Sequence, residues 1–194
     1  MTRAQGKRGA GDPGRRDRLV DAALSLMLTQ GVQGVSHRAV AAEANVPLGS
    51  TTYYFRDLDV LLMASVERLT QRRQRKMDAW SAEIASLDAL ITMLAELIIT
   101  RLTRDRQETM LSYELYFLAL RRPAFRFYNE ASMQVLRDTI RRFADEDTTR
   151  ALTAQVNGLL IEGLLSTRIS TRQDLLAALR ATCGSVYRGH HSKT

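Results

Sequence analysis

Imidazole and thiol groups, the side chains most often used as bases, nucleophiles and metal ligands, are few in this chain. There are three histidines, His37, His190 and His191, and one cysteine, Cys183. Thiol catalysis needs a base beside the sulfur, and Cys183 has no histidine close in sequence. His190 and His191 fall in what reads as a frayed C-terminal tail, where solvation outweighs metal binding. No glycine-rich phosphate loop, paired-cysteine metal site or H-E-x-x-H pattern occurs. The expectation is therefore no enzyme, no metal and no cofactor. A lone cysteine cannot form an intrachain disulfide, which suits a reducing compartment.

Charge offers a different chemistry. The formal net charge is +7 over 194 residues, a balance compatible with a nucleic-acid partner. Its placing says more than its total: Arg3, Lys7, Arg8, Arg15, Arg16 and Arg18 stand against Asp12 and Asp17. The same stretch holds Gly6, Gly9, Gly11, Pro13 and Gly14, which disfavour helix and core alike. Residues 1–15 read as a flexible basic arm, either a phosphate-seeking one or a solvated tail.

The elements that must position these groups are helices. Hydrophobic content is 45%, enough for a core, and apolar residues recur at three and four spacing with no sustained alternation. The most apolar stretch, Leu90 to Ile99, carries Glu96 and is too short for a membrane span. A soluble, cytoplasmic protein without a membrane partner follows. The first helix is expected over Arg16–Gln30, ended by Gly31 in a left-handed conformation. Ser36 suits the N-cap of a second helix carrying Val40, Ala41 and Ala44. Asn45 tolerates positive φ, and Pro47 suits the first turn of a third helix. Two short helices about a tight turn form a helix-turn-helix pattern, although such pairs also occur as plain core structure.

A fourth helix is expected from Asp57 through Leu61, Leu62, Val66, Leu69, Arg73, Met77 and Trp80. Its basic run of Arg72, Arg73, Arg75 and Lys76 reads as a solvated face. Further helices are expected near 86–103, 106–120, 123–144, 148–168 and 171–188, with Pro123 opening one of them. Gly158 and Gly163 lie within the fourth of these five, each costing about 1 kcal/mol relative to alanine. Such glycines point to close approach by another backbone or a ligand.

The stretch from Leu19 to Leu61 resembles the DNA-binding domain of the TetR (tetracycline-repressor) family. The resemblance rests on Leu19, Ala22–Ala23, Leu26, Gly31, Val35–Ser36, Val40–Ala41, Ala44, Val46, Gly49–Ser50, Tyr54–Phe55 and Leu61. Two positions depart from the family pattern: Thr52 replaces an aromatic, and Leu58 replaces a phosphate-binding lysine. The resemblance implies an all-α protein with a helix-turn-helix domain over 16–60 and a helical effector-binding and dimerisation domain over 61–194.

By the same resemblance, the protein is a transcriptional regulator, most readily a repressor. It would bind a near-palindromic double-stranded DNA operator as a homodimer and be released by a small-molecule effector that the sequence does not identify. Leu48, Ser50, Thr51, Thr52 and Tyr53 would reach into the major groove. Ser36, His37, Arg38 and Tyr54 would lie against the phosphates, Arg15 and Arg16 with the basic arm would meet phosphates or the minor groove, while Phe55 packs the small core. Candidate effector contacts are Trp80, Met93, Leu97, Met110, Tyr113, Glu114, Tyr116, Phe117 and Asn157, with Glu114 suited to a cationic group. Met133, Leu136, Ile140, Leu159 and Leu160 are the candidate dimer interface.

Overall fold

The computed structural model describes residues 14–168 and 170–190, and the side chains of residues 129, 132 and 185–190 are left aside. The expected arm therefore lies outside the described residues up to position 13, as does His191. The described elements are helical: α1 (Arg15–Gln30), α2 (His37–Glu43), α3 (Leu48–Tyr54), α4 (Leu58–Ala82), α5 (Leu87–Leu102), α6 (Arg106–Arg121), α7 (Arg126–Arg141), α8 (Glu146–Leu165) and α9 (Arg172–His190). Single 3-10 turns cover Val32–Gly34 and Pro123–Phe125. No described helix is long and apolar enough to cross a membrane. No group of metal-ligating side chains is gathered among the described residues. The chain divides into two compact units between Arg68 and Leu69, inside α4.

The first unit is a helix-turn-helix. Ser36 is extended and its Oγ accepts from the Ala39 amide at 3.2 Å, starting α2. The chain then reverses at Asn45, whose φ of 51° places it in the left-handed region. The Val46 amide donates to Ala41 O at 2.9 Å, and the Ser50 amide to Pro47 O at 2.8 Å. Pro47 lies one residue before α3 rather than within it. Gly31 takes φ 74° with ψ 174°, positive in φ but outside the left-handed helical well that was expected. Leu19, Ala23, Val40, Phe55, Leu61 and Val66 are almost wholly buried and form the core. The Ser65 hydroxyl is satisfied inside that core by Leu61 O at 2.9 Å and Val20 O at 3.3 Å.

The second unit is built around α5, whose Leu90, Leu94 and Ile98 are fully buried. α5 packs on α6, α8 and α9. Leu152 and Val156 of α8, Leu175 and Leu179 of α9, and Ile140 of α7 complete the core. Pro123 opens a 3-10 turn, not a full helix, and α7 follows from Arg126. His190, expected in a frayed tail, is the last residue of α9.

The two α8 glycines differ. A Cβ on Gly163 would stand 2.3 Å from Leu102 Cδ1, so α5 and α8 touch there through the missing side chain. A Cβ on Gly158 would meet nothing within 4 Å. Gly163→Ala is therefore expected to cost roughly 1–3 kcal/mol by overpacking, because Leu102 is itself buried and has little room to move. Ser36→Ala should cost about 1 kcal/mol through the lost cap. Urea denaturation of each variant checks both values.

Candidate functional site

The helix-turn-helix sorts its side chains by exposure. On α3, Tyr53 is 79% exposed and Leu48 is 50% exposed. Thr52 stands beside them in solvent, its hydroxyl donating to Gly49 O at 3.3 Å. Tyr54 is half-buried and meets Tyr53 edge-on, with ring centroids 5.0 Å apart. Ser50 is half-buried. Thr51 departs from expectation: it is fully buried and its hydroxyl donates to Leu48 O at 2.7 Å. Side chains three and four apart share a face of a helix. Thr51 and Phe55 occupy the inward face of α3 and its cap, opposite Thr52 and Tyr53. Base contact by Thr51 is thus ruled out in this conformation.

At the start of α2, Ser36 and Arg38 are exposed and His37 is half-buried, with Nδ1 sequestered without a partner among the described residues. Arg15 is half-buried in the first turn of α1. Arg16 is exposed and places its guanidinium 5.1 Å from the Phe55 ring centroid. Leu48, Thr52 and Tyr53 thus form one open face suited to a groove, with Arg38 exposed at the neighbouring helix start.

The second unit holds a partly open cavity of about 100 Å³. Of the expected ligand contacts, Leu97, Tyr113, Tyr116 and Asn157 line it. Trp80, Met93 and again Leu97 line a neighbouring cavity of about 310 Å³, within the size range of small-molecule sites. Glu114, Met110 and Phe117 line neither. Met110 and Phe117 are more than half exposed, on the outer side of α6. A cation-binding role for Glu114 finds no support in this placement.

The expected dimer residues are also placed differently. Ile140 is fully buried in its own chain's core, and Leu159 packs against that core. Met133, Leu136 and Leu160 line the first cavity. The apolar stripe of α7 faces inward. On α8, the outward positions include Ala154, Gly158, Ile161, Glu162 and Leu165, and on α9 they include Ala177 and Ala181. Leu165 is 83% exposed.

Residues that the sequence reading passed over hold the polar end of the first cavity. Arg73 is only 8% exposed. Its Nη1 donates to Ser112 Oγ and to Tyr128 OH, and its guanidinium carbon lies 5.9 Å from the Tyr128 ring centroid. Tyr128 donates to Ser112 Oγ at 3.2 Å, and Ser112 donates to Glu108 O. Tyr113 donates to Asn157 O at 3.2 Å. Burial pushes the Tyr113 phenol up to about 12, against a smaller opposing effect of Arg73.

Tyr113 therefore remains a neutral donor at physiological pH. Its folded-state value lies above the ordinary 10.0, so the protonated form favoured by folding is present in both states below pH 10. Stability should fall as pH rises from about 10 through about 12. Tyr113→Phe should flatten that alkaline limb, as read from thermal midpoints between pH 8 and 12.

Comparison with known proteins accords with both units. The family described as "Tetracyclin repressor-like, C-terminal domain" matches residues 85–185. A protein of Streptomyces coelicolor A3(2), SCO7518, is 32% identical and superposes with a TM-score of 0.78, covering 88% of this chain and 99% of its own. The multidrug binding protein EbrR, crystallised with ethidium, is 35% identical with a TM-score of 0.72, covering 87% and 98%. The nicotine-responsive transcriptional repressor HdnoR of Paenarthrobacter nicotinovorans is 26% identical over 56% of this chain. The chain spans less than two thirds of HdnoR and of a helix-turn-helix regulator from Xanthobacter autotrophicus, 56% and 29% of their lengths. A helix-turn-helix unit followed by a helical unit that matches this family over half the chain leaves one assignment: the protein belongs to the TetR family of DNA-binding transcriptional regulators, which are not enzymes.

Proposed function

We propose that this regulator is a repressor, that two copies grip a near-palindromic operator, and that a small effector in the second unit's cavity releases it. The observation that carries the DNA-reading part is the open face of α3. Tyr53 and Leu48 are large side chains left in water on the second helix of a helix-turn-helix, where a groove would cover them. Leu48 is suited to a thymine methyl, Thr52 and Ser50 to base edges or phosphates, and Tyr53 to either. Arg38, Ser36 and the start of α2 are suited to the phosphate backbone, aided by the helix's positive end.

A single small head binds weakly, and a two-fold pair reading two half-sites gains both affinity and register. The surface best suited to pairing is the outward stripe of α8 and α9. Ala154, Gly158, Ile161 and Leu165 recur at four, three and four spacing, and Ala177, Ala181 and Gly184 at four and three. Neither Gly158 nor Gly184 has any atom within 4 Å of where a Cβ would stand, so another helix has room to approach closely. Met133, Leu136 and Ile140 of α7 are taken up by the chain's own interior and are not proposed for this role.

Release requires that the ligand prefer one conformation over another. Thr70, Arg73, Gln74 and Met77 of the cavity wall lie on α4, the helix that also supplies Leu61, Leu62 and Val66 to the head's core. That shared helix supports a coupling between the two functions.

The test begins with selection of a binding site from a random-sequence duplex pool, followed by affinity measurements at two salt concentrations. A near-palindromic site is expected, weakened by salt. Tyr53→Ala should lower affinity roughly tenfold or more, since a good base-edge contact is worth about 1–3 kcal/mol. Arg38→Ala should weaken all sequences alike and reduce the log–log salt slope by about 1. Absence of any binding from the pool at low salt would sink the reading. Gly158→Arg should convert a dimer to a monomer in sedimentation and weaken the full site more than an isolated half-site. An unchanged dimer would move the interface elsewhere.

A further inference from the structure

The first cavity is electrostatically one-sided. Arg73 and Arg101 line it, and no aspartate or glutamate does. The neighbouring cavity does contain carboxylates, but each has a cation beside it. Lys76 Nζ stands 3.9 Å from Asp105 and 3.7 Å from Glu108, and Glu96 pairs with Arg172. Among the described residues, no carboxylate lies within ion-pair distance of the Arg73 guanidinium. Its described hydrogen bonds, to Ser112 and Tyr128, both leave from Nη1.

A guanidinium is a permanent cation with five donors, and burying a charge is costly unless an opposite charge or well-placed hydrogen bonds answer it. Here the side chain is more than nine-tenths buried with only neutral partners described. Nε and Nη2 are not among the buried polar atoms that lack a partner, so they keep some access to open space. The rest of the wall joins six aliphatic and thioether side chains, Leu97, Leu136 and Leu160 among them, to the uncharged polar groups of Thr70, Gln74, Thr109, Tyr113, Tyr116 and Asn157.

We infer that the effector is an amphiphilic organic anion, a carboxylate with an aliphatic or aromatic body, whose acid group is taken by Arg73 and whose body fills the apolar end. The inference rests on the effector reading proposed above and narrows it to one chemical class. The fork of donors on a guanidinium matches the two oxygens of a carboxylate. Arg101 adds long-range attraction of the same sign. A lipophilic cation such as the ethidium bound by EbrR would instead meet two positive side chains and no carboxylate on this wall. Glu114, the acid expected to receive a cation, lies outside it.

The experiment compares two ligands with the same tail and opposite charge. Decanoate and decyltrimethylammonium are titrated calorimetrically into the full-length protein, below their micellar concentrations. Decanoate should bind and decyltrimethylammonium should bind at least tenfold more weakly. Arg73→Met should weaken decanoate roughly ten- to hundredfold, as expected for a lost hydrogen bond between charged groups, and leave the ammonium compound unchanged or tighter. Arg73→Lys, which keeps the charge without the fork, should fall between, and it serves if the methionine variant does not fold.

Equal or tighter binding of decyltrimethylammonium to the wild type overturns the inference, as does failure of both compounds to bind. So does decanoate affinity that survives Arg73→Met in a protein of unchanged circular dichroism and melting temperature. Operator binding read in the same samples separates the two proposals. If decanoate binds through Arg73 and the DNA complex persists, the anion site stands and effector release falls. If the ammonium compound alone binds and dissociates the DNA, release stands and the anion inference falls.

Discussion

A charge that cannot be neutralised has been placed inside the second unit, and its surroundings are arranged to meet it. Arg73 comes from α4, Ser112 from α6 and Tyr128 from just inside α7, so one guanidinium ties three helices together. The proton order is consistent: arginine donates to both hydroxyls, Tyr128 donates to Ser112, and Ser112 donates to the Glu108 carbonyl. Both hydroxyls of this network, Tyr128 and Ser112, have a donor to them and an acceptor for their proton, which is what a polar group in a low-dielectric interior requires. The network also gives the cavity a polar end and an apolar end.

The helix-turn-helix unit solves a different problem, holding a short helix rigid with little core. α3 is seven residues long, too short to be stable in isolation. It is held by the positive-φ reversal at Asn45, by Thr51 bonded back to Leu48 O, and by Phe55 sealed against the core at the helix's end. Surface pairs add less. Arg68 reaches both Asp21 and Asp17, and its hydrogen bond to Asp21 is the main cause of its raised pKa. At such exposure an ion pair contributes roughly 0–1 kcal/mol. The outward residues of α3, Leu48, Thr52 and Tyr53, are left out of the core by this arrangement, which leaves them available for the DNA contacts proposed above.

Helical periodicity and turn chemistry made most of the fold legible in the sequence. Ser36, Asn45 and Phe55 do what their residue types suggest, and the helix boundaries fall within a few residues of expectation. What periodicity does not reveal is the identity of the neighbour on the far side of an apolar stripe. Met133, Leu136 and Ile140 are apolar at helical spacing whether they meet a second chain, a cavity or their own core, and here they meet the last two. Thr51 carries the same hydroxyl as Thr52, and only the direction of the α3 face separates a helix-bonded side chain from a solvent-facing one. Gly158 and Gly163 share a residue type and a helix, yet only one has an atom where its Cβ would be.

Arg73 was legible in part. It continues the stripe Leu62, Val66, Leu69 toward Met77 and Trp80, and a basic residue in register with an apolar face must either snorkel to water or find partners inside. The neighbouring Arg72 and Arg75 are exposed, and the run as a whole resembles a solvated face, which concealed the one member that turns inward. The same helix supplies Leu61, Leu62 and Val66 to the first unit's core and Arg73 to the cavity wall. The anion proposed for the cavity would bind the same guanidinium that joins α4, α6 and α7 through Ser112 and Tyr128. In the proposed release, the differential affinity that a ligand must supply would draw on that same side chain, so the class of ligand and the means of response become one question.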